Sequence, residues 1–365
     1  MRFQAAVLRA YNTPLSIESL HLRGLRDTDV VVRIAATSLC HTDLEAVTGQ
    51  LSVPLPIVPG HEAAGIVEWI GPAVQRCKPG DHAILSWNPH CGECFYCRNR
   101  QRILCQTYRD RAASAFHFDG QPRFYCDESP THQLMYTGSF AELTVVSEDS
   151  VVPITKDMPL DRACLIGCGV MTGVGAVINV AKVEAGSCVS VIGCGAVGLS
   201  VIQGARMSNA ERIIAIERDA DKLDLARALG ATHTLLADES LLEMSIECTH
   251  GRGADYVFEA AGNPRAFQAS LDLVRPGGKV VWLGKLAANE SLPLRWGSLM
   301  GEKDIVRTSY GGAVPMRDFP LLVNAYLDGR LKLDEYISSR IKLNEINGAL
   351  GRLSRGLETR SVIQF

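Results

Sequence analysis

The sequence predicts an α/β protein with two domains, one rich in β-strands and one built on a doubly wound parallel sheet. Its 365 residues exceed what a single hydrophobic core usually fills. The first 150 residues contain short apolar runs separated by Gly/Pro turns such as PLPIVPG and KPGD, a pattern typical of strands. Between about residues 171 and 309, strands alternate with helices, which indicates a parallel sheet with helices on both faces.

The β-rich region begins with apolar runs that predict strands at Val30–Ile34, Gly65–Ile70 and His82–Leu85. The stretch Gln106–Gly138 that follows is long and polar, which predicts an irregular excursion from the surface. The alternating region is predicted to contain strand Ser187–Ile192, helix Ala196–Met207, strand Arg212–Ile216, helix Asp219–Leu229, and strands Ala254–Glu259 and Lys279–Leu283. A helical stretch, Phe319–Leu327, and a strand, Arg360–Phe365, close the chain.

Composition excludes several classes of protein. With 47% apolar residues, 21% charged residues and a net charge of −3, the chain is not predicted to be disordered, to bind nucleic acid or to bind an anionic membrane. Ala163–Ala181 is uncharged and long enough to cross a membrane, but it carries four glycines and precedes a strand, so we predict a buried core segment. The N-terminal MRFQAAVLRA lacks the apolar stretch of a secretory signal, which predicts a cytoplasmic protein whose clustered cysteines bind metal.

A glycine-rich turn predicts a dinucleotide site. Gly193-Cys194-Gly195-Ala196-Val197-Gly198 follows a predicted strand and opens a predicted helix. Gly193 permits the tight turn, Gly195 lets a pyrophosphate approach the backbone, and Gly198 lets helix and strand pack closely. Phosphates then lie at a helix N-terminus, where free N–H groups favour anions.

The next strand selects the cofactor. It ends in Glu217, 19 residues after Gly198, where a carboxylate can bind both ribose hydroxyls and repel a 2′-phosphate. The sequence therefore predicts NAD rather than NADP. Arg218, the following residue, is the one feature that could weaken this preference.

Two groups among the twelve cysteines predict metal sites. One is compact: Cys91, Cys94, Cys97 and Cys105 lie within 15 residues and can close a tetrahedral shell, as in structural zinc sites. An iron–sulfur cluster is the competing interpretation, but the polar surroundings and the lack of a Cys-Pro ending favour zinc. The other group is dispersed: Cys40, His61 and Cys168 offer two thiolates and one imidazole, the three ligands of a catalytic zinc that keeps one open position.

These pieces together carry a family resemblance. The segments CHTD, GHEAAG, the four-cysteine lobe, LIGCGV, the glycine turn and its trailing acid occur in the order found in the zinc-dependent medium-chain alcohol dehydrogenases, and the match runs almost from end to end. The resemblance implies a GroES-like catalytic domain at 1–169 plus 310–365, with its structural zinc lobe at about 90–106. A Rossmann domain that binds NAD, at 170–309, is implied to be inserted in it.

The resemblance also implies an activity and roles for the metal-site residues. The chain is expected to oxidise alcohols reversibly by hydride transfer to NAD, with two zinc ions per chain. Cys40, His61 and Cys168 are implied to hold the catalytic zinc. Glu62 is implied to approach the zinc during ligand exchange, and Asp43 to fix the tautomer of His61; a structural salt bridge is the alternative for both acids.

Proton release is implied to start at Thr42. Many relatives continue this path to a histidine three residues further along, but here that position is Glu45. Glu45 either conducts the proton or is a solvated acid beside a path through water.

Three basic residues match cofactor-binding positions of the family. His41 and Arg360 correspond to residues that contact the pyrophosphate, and Lys222 to one that contacts the adenosine ribose. Ordinary exposed bases are the alternative for Lys222 and Arg360.

Substrate preference is predicted from two pocket positions. By resemblance, Leu51 and Trp87 line the pocket, and a Trp there favours primary alcohols with a flat aromatic or allylic body; core packing is the alternative for Trp87. The similar glutathione-dependent branch, S-(hydroxymethyl)glutathione dehydrogenase, binds a glutathione carboxylate through an Arg near the pocket mouth, and Arg109 and Arg111 lie in that loop. A non-catalytic nucleotide-binding or structural protein on the same fold is the alternative from another class.

The expected partners are a small alcohol or aldehyde and a second copy of the chain. The segment between Cys105 and Phe140 resembles the longer, dimeric members of the family, in which a late strand, here within Glu302–Tyr310, joins the sheets of two subunits. We therefore expect a homodimer.

Overall fold

The structure is a computed structural model that describes residues 1–287 and 289–365. Within these residues the strands are β1 (Arg2–Val7), β2 (Ser16–Leu22), β3 (Asp29–Ser38), β4 (Ile57–Val58), β5 (Glu62–Ile70), β6 (His82–Leu85), β7 (Phe124–Cys126), β8 (Ser129–Gln133), β9 (Leu143–Ser147), β10 (Val151–Ile154), β11 (Cys188–Ile192), β12 (Arg212–Glu217), β13 (His233–Leu236), β14 (Ala254–Glu259), β15 (Val274–Trp282), β16 (Asp304–Arg307), β17 (Ile337–Ile341) and β18 (Arg360–Gln364). The α-helices are α1 (His41–Thr48), α2 (Phe95–Arg98), α3 (Gln106–Ala112), α4 (Leu160–Leu165), α5 (Met171–Gly175), α6 (Ala196–Met207), α7 (Ala220–Leu229), α8 (Leu241–Cys248), α9 (Pro264–Leu273), α10 (Pro315–Leu327) and α11 (Ile346–Ser354).

The chain forms two compact units, and the predicted α/β class is confirmed. The first unit comprises Met1–Cys168, Val314–Asp328 and Leu333–Phe365. The second comprises Gly169–Ala313 and Gly329–Lys332.

The first unit is built on two sheets, and β3 belongs to the second of them. One sheet has the order β1-β2-β7-β8-β4, and the other has the order β10-β6-β5-β3-β18-β17 with β9 also paired to β3. Strand β3 alternates its side chains between two cores: Val30, Val32 and Ile34 enter one, while Val31 enters the other. This near-continuous apolar run therefore forms a strand that is buried on both faces.

The polar stretch Gln106–Gly138 differs from its prediction. It is not irregular: it contains α3 and the hairpin β7–β8, which extends the first sheet by pairing β7 with β2. Three of its polar residues, His117, Asp119 and Arg123, form an ionic cluster with the buried Asp29. Arg123, 1% exposed, donates from Nε to Asp29 at 2.6 Å and from Nη2 to Asp119 at 2.8 Å, and His117 Nε2 lies 3.5 Å from Asp29. Charge pairing thus replaces the apolar alternation from which strands are predicted.

The second unit carries a parallel sheet in the order β13-β12-β11-β14-β15-β16. Strands β11, β12, β14 and helix α6 agree with their predicted positions to within one residue, while β15 starts five residues before the predicted Lys279. Connections leave the sheet in opposite directions from β11 and β14. In open sheets of this kind, a ligand binds at the carboxyl ends of the strands where the order reverses.

The uncharged segment is part of a helical stretch, Leu160–Ala181, with wider turns at Ile166–Val170 and Ala176–Ala181. Its length and composition would allow it to cross a membrane, but 78% of its most apolar window is buried inside the protein. That burial is typical of a core helix.

Candidate active site

The first part of the site is the turn that opens α1. Cys40 occupies the N-cap of this helix, and the Asp43 carboxylate accepts the Cys40 N–H at 3.0 Å. An acid at this position of the first turn satisfies a backbone donor that the helix itself leaves free. The sequence Cys-His-Thr-Asp therefore fixes where the Cys40 thiol points as well as where the helix begins.

The same carboxylate orients His61. Asp43, fully buried, accepts the Gly60 N–H at 3.0 Å and lies 3.0 Å from His61 Nδ1. An aspartate acceptor keeps the proton on Nδ1, so Nε2 presents its lone pair for a metal. This is the predicted partnership of Asp43 with His61.

Cys168 completes the group, within the wider helical turn Ile166–Val170; such turns recur at functional sites. One ligand atom from each of Cys40, His61, Glu62 and Cys168 lies within 4.8 Å of every other. Donor atoms around one tetrahedral zinc are about 3.5 Å apart, because Zn–S and Zn–N distances are about 2.3 and 2.0 Å. The donor set and its spacing therefore fit one zinc ion.

The surroundings of Cys40 and His61 favour a negatively charged thiolate on Cys40 and a positively charged imidazole on His61. Hydrogen bonding from Cys168 is the main cause that lowers the pKa of Cys40 well below its ordinary value, and it outweighs burial. Burial opposes protonation of His61, but the Asp43 carboxylate outweighs it and raises the pKa of His61. A metal would take the place of the proton that these groups share.

Glu62 and Arg360 form a buried ion pair beside this group. Glu62 is fully buried, and its two oxygens accept from Arg360 Nε and Nη2 at 3.2 Å each. Arg360 Nη2 also lies 4.0 Å from Cys40 Sγ. Burial raises the pKa of Glu62 to about 7, although the Arg360 charge opposes it. Both residues were singled out from the sequence, but their pairing across 298 positions left no signal there.

Three further predicted residues lie on α1. His41 is exposed at the first helical position, and Thr42 and Glu45 are half-buried. Glu45 contributes its carbonyl oxygen to a hydrogen bond from the Leu51 N–H at 3.0 Å. The predicted proton-path residues thus lie on α1, the helix whose N-cap is Cys40.

The four-cysteine group forms a separate lobe in the first unit. The sulfur of Cys91 lies 3.7 Å from that of Cys105 and 4.0 Å from that of Cys97, and all four sulfurs lie within 4.8 Å of one another. Sulfurs around one zinc are about 3.8 Å apart, which follows from a Zn–S distance of about 2.3 Å. An iron–sulfur cluster, with several metal atoms between its ligands, would need a wider spacing.

The glycine turn of the second unit has the geometry that a pyrophosphate requires. Gly193 has φ +96°, and a Cβ on Gly198 would lie 1.7 Å from the Gly193 carbonyl oxygen, so neither position admits a side chain. A Cβ on Gly195 would meet nothing within 4 Å, and Gly195 is exposed at the N-cap of α6, with half-buried Val197 following it. This open position in front of a helix N-terminus fits a bound phosphate.

Glu217 is held against that turn. Its Oε2 accepts the Cys194 N–H at 2.9 Å and its Oε1 accepts the Arg218 N–H at 2.7 Å. The carboxylate is therefore fixed beside the glycine turn at the end of β12. Arg218 is exposed, and Lys222 is half-buried on α7. His41 and Arg360, the other two predicted cofactor residues, belong to the first unit.

The two predicted pocket residues are also in the first unit. Trp87 is 9% exposed and packs against Tyr108, with ring centroids 6.4 Å apart; Tyr108 in turn packs against Tyr136 at 5.0 Å. Leu51 is half-buried and packs on the N-terminal core. Tyr108 lies in α3, within the stretch predicted to be irregular, so its place beside Trp87 was missed from the sequence.

Two protein-family models match the chain. The alcohol dehydrogenase GroES-like domain matches residues 26–156, and the zinc-binding dehydrogenase family matches residues 196–327.

Individual proteins match over nearly the whole chain. A curated relative from Schizosaccharomyces pombe, described as a probable S-(hydroxymethyl)glutathione dehydrogenase 1, is 38% identical over 99% of this chain and 97% of its own length. A crystal structure of an alcohol dehydrogenase zinc-binding domain protein from Burkholderia ambifaria is 34% identical with a TM-score of 0.95, covering 100% of this chain and 99% of that one. The benzyl alcohol dehydrogenase of Acinetobacter calcoaceticus is 30% identical with a TM-score of 0.94 at the same coverage.

Proposed function

Because the chain belongs to the zinc-dependent alcohol dehydrogenase family of oxidoreductases, we propose that it uses NAD to oxidise primary aromatic or allylic alcohols reversibly to aldehydes. The observation that carries the proposal is the convergence of Cys40, His61 and Cys168, with His61 oriented by Asp43. Family membership makes the chain an enzyme and disfavours a non-catalytic role on the same fold.

The proposed metal roles follow from the donor sets. Cys40, His61 and Cys168 hold the catalytic zinc, with Glu62 as a transient fourth ligand, and Cys91, Cys94, Cys97 and Cys105 hold the structural zinc. When bound, zinc supplies the Lewis acidity that lowers the pKa of the substrate hydroxyl, and NAD accepts the hydride. Asp43 keeps the proton of His61 on Nδ1, and Arg360 balances the charge of Glu62. We expect two zinc ions per chain by metal analysis.

Thr42 and Glu45 are proposed to move the substrate's proton away from the site. The Thr42 hydroxyl takes the first position, and Glu45, one helical turn later on α1, accepts or conducts the proton. A Glu45→Gln variant should shift the pH dependence of kcat while leaving the zinc content unchanged. An unchanged pH–rate profile would assign the exit of the proton to water.

Each of the two units contains residues that are proposed to bind the cofactor. The glycine turn, with Gly193, Gly195, Val197 and Gly198, receives the pyrophosphate, and Glu217 binds the adenosine ribose, with Arg218 and Lys222 beside it. His41 and Arg360 are the proposed bases of the first unit. On this basis the first unit, predicted as 1–169 plus 310–365, is catalytic, and the second, predicted as 170–309, binds NAD.

The substrate class is supported by two observations. A structure named as a benzyl alcohol dehydrogenase superimposes on the whole chain, and Trp87, one of the two proposed pocket residues with Leu51, makes a tilted ring contact with Tyr108. A flat aromatic body suits such a wall because rings stabilise each other in offset or edge-on contact. Trp87→Ala should therefore raise KM for benzyl alcohol more than for a short aliphatic alcohol.

A panel of alcohols tests the proposal. Initial rates with NAD and with NADP are compared for benzyl alcohol, an allylic alcohol and ethanol. We expect the highest kcat/KM for benzyl alcohol with NAD, because Glu217 opposes a 2′-phosphate. A clear preference for ethanol would contradict the substrate class, and a preference for NADP would contradict the role of Glu217.

S-(hydroxymethyl)glutathione oxidation is the second candidate, and the 38% identity to a protein of that description favours it. Arg109 and Arg111, the candidate bases for a glutathione carboxylate, are exposed on α3. Arg109 lies 5.7 Å above the Tyr96 ring, and Arg111 donates to the Phe118 carbonyl at 2.8 Å. Formaldehyde oxidation that requires glutathione, and that fails in Arg109→Gln or Arg111→Gln, would establish this activity.

A further inference from the structure

A buried acid lies at the carboxyl end of β14, an internal strand of the parallel sheet, without a role in the proposed chemistry. Glu259, the last residue of β14, has no exposed surface. Its Oε1 accepts the N–H groups of Ala261 at 2.8 Å and Gly262 at 2.6 Å. The side chain therefore holds the loop that follows its own strand.

Glu259 also holds the loop that follows β15. The backbone carbonyl oxygen of Glu259 accepts the N–H groups of Leu283 at 2.8 Å and Gly284 at 3.0 Å. A Cβ on Gly284 would lie 2.3 Å from Glu259 Oε2 and 2.5 Å from the Gly262 nitrogen, so this close approach requires glycine. Burial raises the pKa of Glu259, and the N–H groups of Gly262, Ala261 and Gly284 oppose that shift. One residue thus ties two loops together.

These loops lie against the glycine turn. Glu259 is in register with Ile192 of β11, and the Ala260 N–H donates to the Ile192 carbonyl at 2.8 Å. A Cβ on Gly193 would lie 2.9 Å from the Ala261 nitrogen. The loop that Glu259 holds is therefore a wall of the crevice where the order of strands reverses.

The two halves of a dinucleotide lie on opposite sides of such a crevice. Glu217, the proposed ribose acceptor, is at the end of β12, so the adenosine half belongs on the β12 side. The nicotinamide half then lies towards the ends of β14 and β15, where the loops tied by Glu259 are found. If a loop is already ordered before the ligand binds, binding loses less conformational entropy and the affinity is higher.

We propose that Glu259 is a positioning residue that orders the loop after β14 and residues 283–284 after β15 as the support for the nicotinamide half of NAD. This inference rests on the cofactor site of the proposed function. It predicts that loss of the Glu259 carboxylate weakens binding of the whole dinucleotide but leaves binding of its adenosine half unchanged.

The test compares the dissociation constants of NADH and AMP, by NADH fluorescence and calorimetry, in Glu259→Ala and Glu259→Gln. In Glu259→Ala we expect Kd for NADH to rise about tenfold and Kd for AMP to change less than twofold, the former equivalent to about 1.4 kcal/mol. Glu259→Gln keeps an acceptor oxygen at the same distance, so it should restore most of the NADH affinity. Glu243→Gln, at an exposed acid on α8 of the same unit, serves as the control and should bind both ligands like the parent.

Gly284→Ala disturbs the same contact by adding a methyl group against the Glu259 carboxylate. It should weaken NADH binding but not AMP binding, and it provides a test even if Glu259→Ala does not fold. Equal loss of AMP and NADH affinity would show a merely structural role and overturn the inference. Parental NADH affinity in Glu259→Ala or Gly284→Ala would overturn it as well. A parent protein that binds neither ligand would instead overturn the proposed cofactor site itself.

Discussion

At the scale of single residues, Asp43 positions more of the candidate site than any other residue described above, because one side chain makes three contacts there. One buried carboxylate accepts the N–H groups of Cys40 and Gly60 and contacts His61 Nδ1, each at 3.0 Å. It therefore places two proposed zinc ligands that are 21 positions apart in the chain. Hydrogen bonds to an ionised acceptor are stronger than neutral ones, which explains why an acid is needed there.

We predict that Asp43→Asn lowers kcat/KM for the preferred alcohol by about 10–100-fold, the usual effect of losing a residue that orients a metal ligand. The asparagine amide carries no charge and can present an N–H to His61. His61 Nδ1 could then accept a hydrogen bond, so its proton would no longer be held on Nδ1. Steady-state kinetics and zinc analysis provide the measurements. Asp27→Asn, at an exposed acid of the same unit, is the control. Parental activity in Asp43→Asn would contradict the role assigned to Asp43.

The parts of the candidate site that could be predicted from the sequence are those whose residues lie close together in the chain. The cysteine lobe and the glycine turn could be recognised because their residues lie within 15 and six positions, where spacing alone determines geometry. The pairing of Glu62 with Arg360 could not, since strand pairing of β18 with β3 brings them together and no local pattern records it. Arg360 was predicted to contact the pyrophosphate, with an exposed base as the alternative; the structure shows it buried beside an acid, which the sequence did not indicate.

At the scale of elements, the cysteine lobe is a short segment with little regular structure of its own. Between Cys91 and Cys105 it forms α2, of four residues, and one short 3₁₀ turn, with Phe95 66% exposed. Backbone N–H groups of Cys94 and Gln106 point at the sulfurs of Cys91 and Cys94 at 3.4 Å each. Such a segment depends on its metal for stability, because it buries little apolar surface.

Cys97→Ser is therefore predicted to reduce zinc from two ions per chain to one. Thermal unfolding should start about 5 °C or more below the parent, since each kcal/mol lost shifts Tm by about 2–4 °C for units of this size. Limited proteolysis should cut first within 91–112. The control is Cys248→Ser, a half-buried cysteine on α8 that belongs to neither cysteine group. Two retained zinc ions in Cys97→Ser would refute the assignment of the lobe.

An ionic cluster that includes His117 and Arg123 lies in the segment that leads into the hairpin β7–β8. Burial lowers the pKa of His117 below the 6.5 of an exposed histidine, although Asp29 and Asp119 oppose that shift and Arg123 reinforces it. The unfolded chain therefore binds this proton more tightly than the folded chain. Stability is complete above about pH 6.5 and is lost as the pH falls from there towards the lowered pKa of the folded state.

We accordingly predict that His117→Gln flattens the dependence of Tm on pH between pH 7 and pH 5. The parent should lose stability over this range, and the variant should lose less of it. His250→Gln, at an exposed histidine of the second unit, should leave the slope unchanged. Equal slopes in the parent and His117→Gln would show that the cluster around Asp29 does not couple to protonation.

Strand and helix predictions succeeded where side chains alternate or repeat, and they failed in this hairpin for a physical reason. Helix α6 was predicted over its full length because glycines start it and an apolar face runs through it. The hairpin strands, FYC and SPTHQ, lack that alternation. Their stability comes from pairing with β2 and from Arg123 and Asp29, which are distant partners that propensity does not detect.

At the scale of the whole molecule, the order of strands explains where the cofactor turn lies. The alternating pattern predicted a parallel sheet, but only tertiary packing decides that β11 lies between β12 and β14. That order leaves β13 and β16 as the sheet edges among the residues that the structure describes. Edge strands present unpaired backbone groups, which are available for association with another chain.

We predict that a homodimer forms through the β16 edge rather than the β13 edge. In the segment that precedes β16 in the chain, Trp296 is 75% exposed and Met300 is 61% exposed, and association would cover these two large apolar side chains. The parent should therefore elute in light-scattering chromatography at about twice 39.6 kDa. The double variant Trp296→Glu, Met300→Glu should elute as a monomer with its zinc content intact, whereas Leu236→Glu, at the β13 edge, should remain dimeric. A dimer that survives in the double variant, or that dissociates in Leu236→Glu, would place the interface elsewhere.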